Sequence, residues 1–151
     1  MRLFIDGEWN GFGGELLSLA LVPEIEKEPV FYMEFPVPDK VDPWVAANVL
    51  PHLSRRKETR EQAQRSLAFY LNLRAFQPVH IVADWPEDIE RFCNLLITGP
   101  GKRIDIPRMT FEVIPGLHAV SDHSDVPHNA LEDARAIRTA VQLMETGGDG
   151  E

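Results

Sequence analysis

The stretch HNALEDAR, His128 to Arg135, places a histidine five residues before an aspartate at what reads as the start of a helix. Asn129 followed three residues later by Glu132 resembles a capping box, which makes Asn129 the N-cap, His128 the N′ residue and Asp133 the N4 residue. A hydrophobic staple brings N′ and N4 into contact, and here the two positions carry an imidazole and a carboxylate. At about 100° per residue, Ala130, Ala134, Ile137, Val141 and Met144 form an inward stripe with Asp133 on its edge. An acid half-sunk beside a core needs a partner to offset its lost hydration. Arg135 and Arg138 face elsewhere.

DWPEDIERF, Asp84 to Phe92, repeats the geometry. Trp85, Ile89, Phe92 and Leu96 share the spacing of that stripe, so Asp88 falls where Asp133 falls. Asp84 sits where an N-cap belongs, with Pro86 tolerated in the first turn and Glu87 three residues on. In FIDGEW, Asp6 and Glu8 are two apart and project from the same side of a strand. Asp6-Gly7 also reads as a hairpin turn, but the strand is preferred because Asn10 to Gly14 already supplies a turn.

Four carboxylates converging without basic partners would repel one another and raise some of their pKa values. Hard divalent cations resolve this, because Mg²⁺ takes oxygen ligands and shares its coordination with substrate phosphates. Two such ions about 4 Å apart can stabilise the attacking and leaving oxygens of a phosphodiester displacement. His128 beside Asp133 is then placed to accept the proton of the attacking water.

The elements that must position these groups follow in order. Strands are expected at Arg2 to Asp6, Gly14 to Val22 and Pro29 to Phe35, then helices at Asp42 to Leu53 and Glu58 to Phe76, the latter with Leu67, Leu71 and Arg74 on one face. A strand at Val79 to Ala83, a helix at Trp85 to Ile97, a strand at Thr110 to Ile114 and a helix at Ala130 to Met144 complete the chain. Long connections remain at Gly99 to Met109 and Gly116 to Pro127, and loops of that length usually bind something or move. The tail from Thr146 to Glu151 should fray.

With 151 residues, 44% hydrophobic and 26% charged, the chain reads as one globular α/β domain with helices on a central mixed sheet of about five strands. No apolar run approaches the roughly 20 residues of a membrane span. Because the first strand begins at Arg2, no targeting segment is expected before the fold, and the lone Cys93 excludes an intramolecular disulfide framework. These features point to the cytoplasm. A net charge of -9 argues against bulk electrostatic attraction to nucleic acid, although Arg55, Arg56, Lys57, Arg60 and Arg65 form one basic cluster and Lys102, Arg103 and Arg108 another.

FIDGEW, DWPEDIERF and HNALEDAR together resemble the three motifs of the DEDDh branch of the DnaQ-like 3′-to-5′ exonucleases, enzymes of the ribonuclease H-like fold. The resemblance spans most of the chain and is closest to small stand-alone bacterial or phage exoribonucleases. It implies a site of Asp6, Glu8, Asp88 and Asp133 holding two Mg²⁺ or Mn²⁺ ions, with His128 as general base and RNA 3′ ends as substrate. Two departures stand out: Trp9-Asn10 follows Glu8 where the family often has a small pair, and Asp84 replaces an asparagine often found four residues before the second-motif aspartate. Trp9 and Asp84 are therefore candidate substrate contacts, and Asp84 could repel phosphate or hold a water or metal. Alternatives are a DNA 3′-to-5′ exonuclease of the same fold and a non-catalytic nucleic-acid-binding or regulatory module. Self-association into a homodimer is a further expectation, since pairing could bring a basic cluster to the neighbouring subunit's site.

Overall fold

RLFIDGEW is strand throughout, so β1 runs Arg2–Trp9 and the hairpin-turn reading of Asp6-Gly7 is excluded. In the computed structural model, which describes residues 1–73 and 77–147, β2 (Leu16–Pro23) and β3 (Phe31–Glu34) continue from β1 as an antiparallel meander. Helices α1 (Pro43–Asn48) and α2 (Arg60–Asn72) lead to β4 (Val79–Ala83), parallel to β1. Helix α3 (Pro86–Leu96), a two-stranded hairpin of β5 (Ile97–Gly99) and β6 (Lys102–Arg103), and β7 (Met109–Val113), parallel to β4, follow. The chain closes with α4 (Ala119–His123) and α5 (Ala130–Gly147). The main sheet is five-stranded and mixed, in the order β3-β2-β1-β4-β7, which is compatible with the expected ribonuclease H-like fold.

Several boundaries differ from the sequence reading for local reasons. The helix expected over Asp42 to Leu53 stops at Asn48 and gives way to a 3₁₀ turn at Leu50–His52. Pro51 has no N–H to donate and disfavours α geometry in the residue before it. Helix α2 starts two residues later than expected because Thr59 caps it through a reciprocal capping box with Gln62. The two long connections contain β6 and α4, so neither is structureless. Thr146 and Gly147 belong to α5, whereas the expected positions of Arg74, of the helix end at 74–76 and of the tail at 148–151 lie outside the described residues.

Strand alternation divides the core into two layers. Leu3, Ile5, Leu19, Val79 and Ile81 meet α2 and α3 on one face, while Phe4 and Val82 meet Ala136, Ile137 and Val141 of α5 on the other. Full burial of each large apolar side chain contributes about 1.5 to 3 kcal/mol, and these layers offset the cost of burying acids between them. Two residues expected on inward stripes are exposed: Trp85 at 58% and Met144 at 50%. Trp85 is the N-cap of α3, and Met144 lies in the last turn of α5. No helix among the described residues is long and apolar enough to cross a membrane.

Candidate metal centre

β1 pairs with β4 only from Arg2 to Phe4, while its pairing with β2 continues to Trp9. The last residues of β1 thus run past the end of β4 and open a gap in the sheet. Asp6 and Glu8 share the face of Phe4, the side covered by α5. The Gly7 N–H, on the side that β4 no longer covers, donates to Oδ1 of Asp88 at 2.9 Å. A Cβ at Gly7 would meet the Leu19 side chain at 3.3 Å and the Ser18 carbonyl at 3.4 Å, so glycine keeps β1 and β2 close at this point. Asp88 itself is 1% exposed on the first turn of α3, as its helical phase predicts.

Asp84 departs from expectation. The residue that caps α3 is Trp85, in extended conformation, and no side chain supplies a cap hydrogen bond. Pro86 at the first helical position imposes this, since it disfavours α geometry in the preceding residue and so shifts the helix start by one. Released from capping, Asp84 brings a carboxylate oxygen within 4.8 Å of those of Asp6 and Asp88.

At the other end of the gap, α5 begins as the sequence predicts. Asn129 Oδ1 accepts the N–H groups of Leu131 and Glu132 at 3.1 and 3.2 Å. The reciprocal half of the capping box does not form, because Glu132 pairs with Arg135 and the Asn129 N–H donates to the Val126 carbonyl. His128 and Asp133 are adjacent, but through the backbone: the His128 N–H donates to Asp133 Oδ2 at 2.9 Å. His128 takes a left-handed conformation, φ 67°, and its ring packs edge-on against Trp44 with centroids 4.8 Å apart. Ser124 Oγ donates to the second oxygen of Asp133. One ring nitrogen of His128 and one oxygen each from Glu8 and Asp133 lie within 4.8 Å of one another, forming a second trio beside the first.

The electrostatics match the geometry. Asp6 is raised well above the ordinary carboxylate range, first by burial and then by Asp88, Glu8, Asp133 and Asp84. Burial, with Asp133 nearby, pushes Glu8 up to about 8. Asp88 is raised by burial and Asp84, against the Gly7 N–H. Burial raises Asp84, and it raises Asp133 against the opposing hydrogen bonds from Ser124 and His128. Among the described residues no lysine or arginine pairs with any of the five acids. Asp6 Oδ2 is buried with no hydrogen-bond partner among the described residues. An orphaned anionic oxygen facing further carboxylates is an oxygen donor set suited to hard divalent cations, so these residues fit the expected ions.

A stability consequence follows for the metal-free protein. A carboxyl whose folded pKa exceeds its unfolded value contributes most below the unfolded value, and that contribution is lost as pH rises through the folded one. With Glu8 at about 8 and the aspartates also raised, the melting temperature in chelator should fall by several degrees between about pH 6 and pH 9. Saturating Mn²⁺ should flatten that slope. A metal-free melting temperature that climbs with pH over this window would show that the acids are not mutually destabilising.

Beside Glu8 lies an open cavity of about 370 Å³ walled by Trp9, Phe12, Trp44 and Glu87. Phe12 is fully exposed and Trp44 is 53% exposed. Asn10 fixes this wall, accepting the Asp42 N–H and donating to the Lys40 carbonyl, both at 2.8 Å, while Asp42 caps α1 just before Trp44. The sequence reading singled out Trp9 alone. Trp44, Phe12 and Ser124 have no periodic signal and reach the site only through tertiary packing. The basic cluster near residue 57 serves structure in part: Lys57 pairs with the buried Glu34 at 2.5 Å, Arg55 lies over Tyr32, and Arg60 donates to the Asn94 carbonyl.

No family model matches this chain, and no curated protein matches it.

Proposed function

We propose that the protein is a two-metal-ion 3′-to-5′ exoribonuclease that releases nucleoside 5′-monophosphates one at a time. The observation that carries this reading is the convergence of five acids and one histidine, with no lysine or arginine paired to those acids among the described residues, in the gap at the end of β1. Asp6, Glu8, Asp84, Asp88 and Asp133 would hold the ions, which when bound stabilise the attacking and leaving oxygens of a phosphodiester. The His128 imidazole accepts the proton of the attacking water. Asp133, anchored by Ser124 and the His128 N–H, fixes the loop that carries this imidazole. The aromatic cavity beside Glu8 receives the terminal nucleobase by stacking, a sequence-tolerant contact. One face of Trp9 already carries the Arg91 guanidinium, 5.5 Å from the ring centroid, which leaves Phe12 and Trp44 as the open surfaces. The reading includes a cytoplasmic location, in keeping with a single free cysteine.

The test is incubation of purified protein with end-labelled single-stranded RNA, duplex RNA with a 3′ overhang and the matching DNAs. The expected result is a ladder shrinking from the 3′ end of RNA, dependent on Mg²⁺ or Mn²⁺ and abolished by EDTA. Faster cleavage of DNA would reassign the substrate. A ladder that persists in EDTA or shortens from the 5′ end would remove the mechanism, and no cleavage of any substrate would favour a binding module.

His128→Ala should lower turnover by roughly 10² to 10⁴. Mn²⁺ affinity by calorimetry should change much less than for Asp6→Asn, because the proton-transfer role does not require the ring to hold an ion. Wild-type turnover at neutral pH in this variant would reduce His128 to a helix-flanking residue.

A further inference from the structure

The far edge of the sheet poses a separate problem. Among the described residues β7 pairs only with β4, and four of its five residues, Thr110 to Val113, are exposed, including Phe111 at 40% and Val113 at 38%. β3, at the opposite edge, has three of its four residues buried. Long exposed apolar edges are ready templates for strand pairing, which proteins normally block with charge, proline or a cover.

The hydrogen-bond parity of β7 is set by its two flanks. Val79 donates to the Arg108 carbonyl, and the Ile114 N–H donates to Ala83. Even-numbered residues therefore face β4, and the N–H and C=O groups of Met109, Phe111 and Val113 point outward. Among the described residues nothing bonds to them.

We propose that this edge is the interface with a second copy of the same chain, the two β7 strands pairing antiparallel about a two-fold axis at Phe111 to give one continuous sheet. In this register Phe111 faces Phe111 of the partner, Met109 faces Val113, and every outward backbone group is satisfied. Apolar side chains meet on the face where Phe111 already contacts Phe92 of α3. On the other face Thr110 stands opposite Glu112, and the two diagonal neighbours of that carboxylate are Arg108 and the symmetry-related Glu112, so each Glu112 meets one opposite and one like charge at diagonal distance and none directly opposite. Glu112 is held on this face by the His80 ring at 2.7 Å. Pro107 and Pro115 define the register. Sharing the outward parity, they lack the N–H a partner would need, and only the pairing centred on Phe111 sets them opposite each other. A slip of two residues in either direction opposes a proline to a residue that needs its bond. The interface is isologous and closes at two copies.

The inference does not depend on the nuclease reading, and its test needs no activity. Sedimentation of the full chain from about 1 to about 100 µM should show a dimer that dissociates on dilution. Phe111→Pro removes an outward N–H and no bond to β4, so it should give a monomer with unchanged circular dichroism. Because that variant could also disturb the strand, a second measurement uses disulfide trapping in a Cys93→Ser background. Phe111→Cys should cross-link to a covalent dimer under mild oxidation, since directly opposed residues lie about 5.5 Å apart at Cα, within disulfide range. Thr110→Cys, which faces Glu112, should not. A wild-type chain that is monomeric throughout would hand the edge to a strand of a different protein and overturn the proposal. Equal cross-linking of both cysteine variants would overturn the register, and a Phe111→Pro variant that still dimerises would overturn the surface.

Discussion

Asp6→Asn will abolish nucleotide release and yet raise the melting temperature of the metal-free protein. Asp6 is 8% exposed, and its Oδ2 has no hydrogen-bond partner among the described residues. Its carboxyl is raised by burial and by four neighbouring acids. An asparagine keeps the shape, removes one charge from that set, and gives the neighbouring carboxylates an N–H donor. Stability gained at the expense of function is the signature of a group held in place for chemistry. Loss of one anionic ligand from the trio of Asp6, Asp84 and Asp88 removes several kcal/mol of transition-state stabilisation, roughly a 10³-fold fall in turnover or more. Thermal melting in EDTA and nucleotide release in Mn²⁺ together decide the matter. A clear drop in metal-free melting temperature would identify Asp6 as a structural acid with an unrecognised partner.

The second large effect separates two aspartates four residues apart. Asp88→Asn should retain the fold, because Oδ1 still accepts the Gly7 N–H, and should lose turnover by about 10³-fold with the ligand charge. From sequence alone, Asp84→Ala would be expected to cost a helix cap, about 0.5 to 2 kcal/mol. The structure reverses that expectation. Since Asp84 caps nothing and is raised by burial among Asp6 and Asp88, Asp84→Ala should melt no lower than wild type in EDTA. It should also need about 10-fold more Mn²⁺ for half-maximal activity, an effect of the size seen when support for a metal site is removed. Asp84→Ser should behave like Asp84→Ala, whereas a capping role would have serine restore lost stability. Recovery of stability by serine alone would restore the cap.

The acids on regular elements were legible because helices and strands have fixed periods. Asp6 and Glu8 follow from alternation by two, and Asp88 and Asp133 from a phase of about 100° per residue. The neighbourhood of His128 and Asp133 followed from helix-capping geometry, which is local. Asp84 was misread because a single proline moved the helix start by one residue, and a one-residue shift exchanges a capping side chain for one aimed at the site.

What the chain determines by itself, then, is whatever depends on neighbours within one or two turns: the order and type of most elements, which face each acid occupies, and the start of α5 at Asn129. The tertiary structure decided what requires distant segments to meet. The shorter pairing of β1 with β4 opens the gap that the acids share, the Asn10 bridge to Lys40 and Asp42 sets Trp44 against His128, and Ser124 reaches Asp133 from a loop with no pattern of its own. Periodicity says which side a residue faces. Only the packing of strands that end at different places says what it faces.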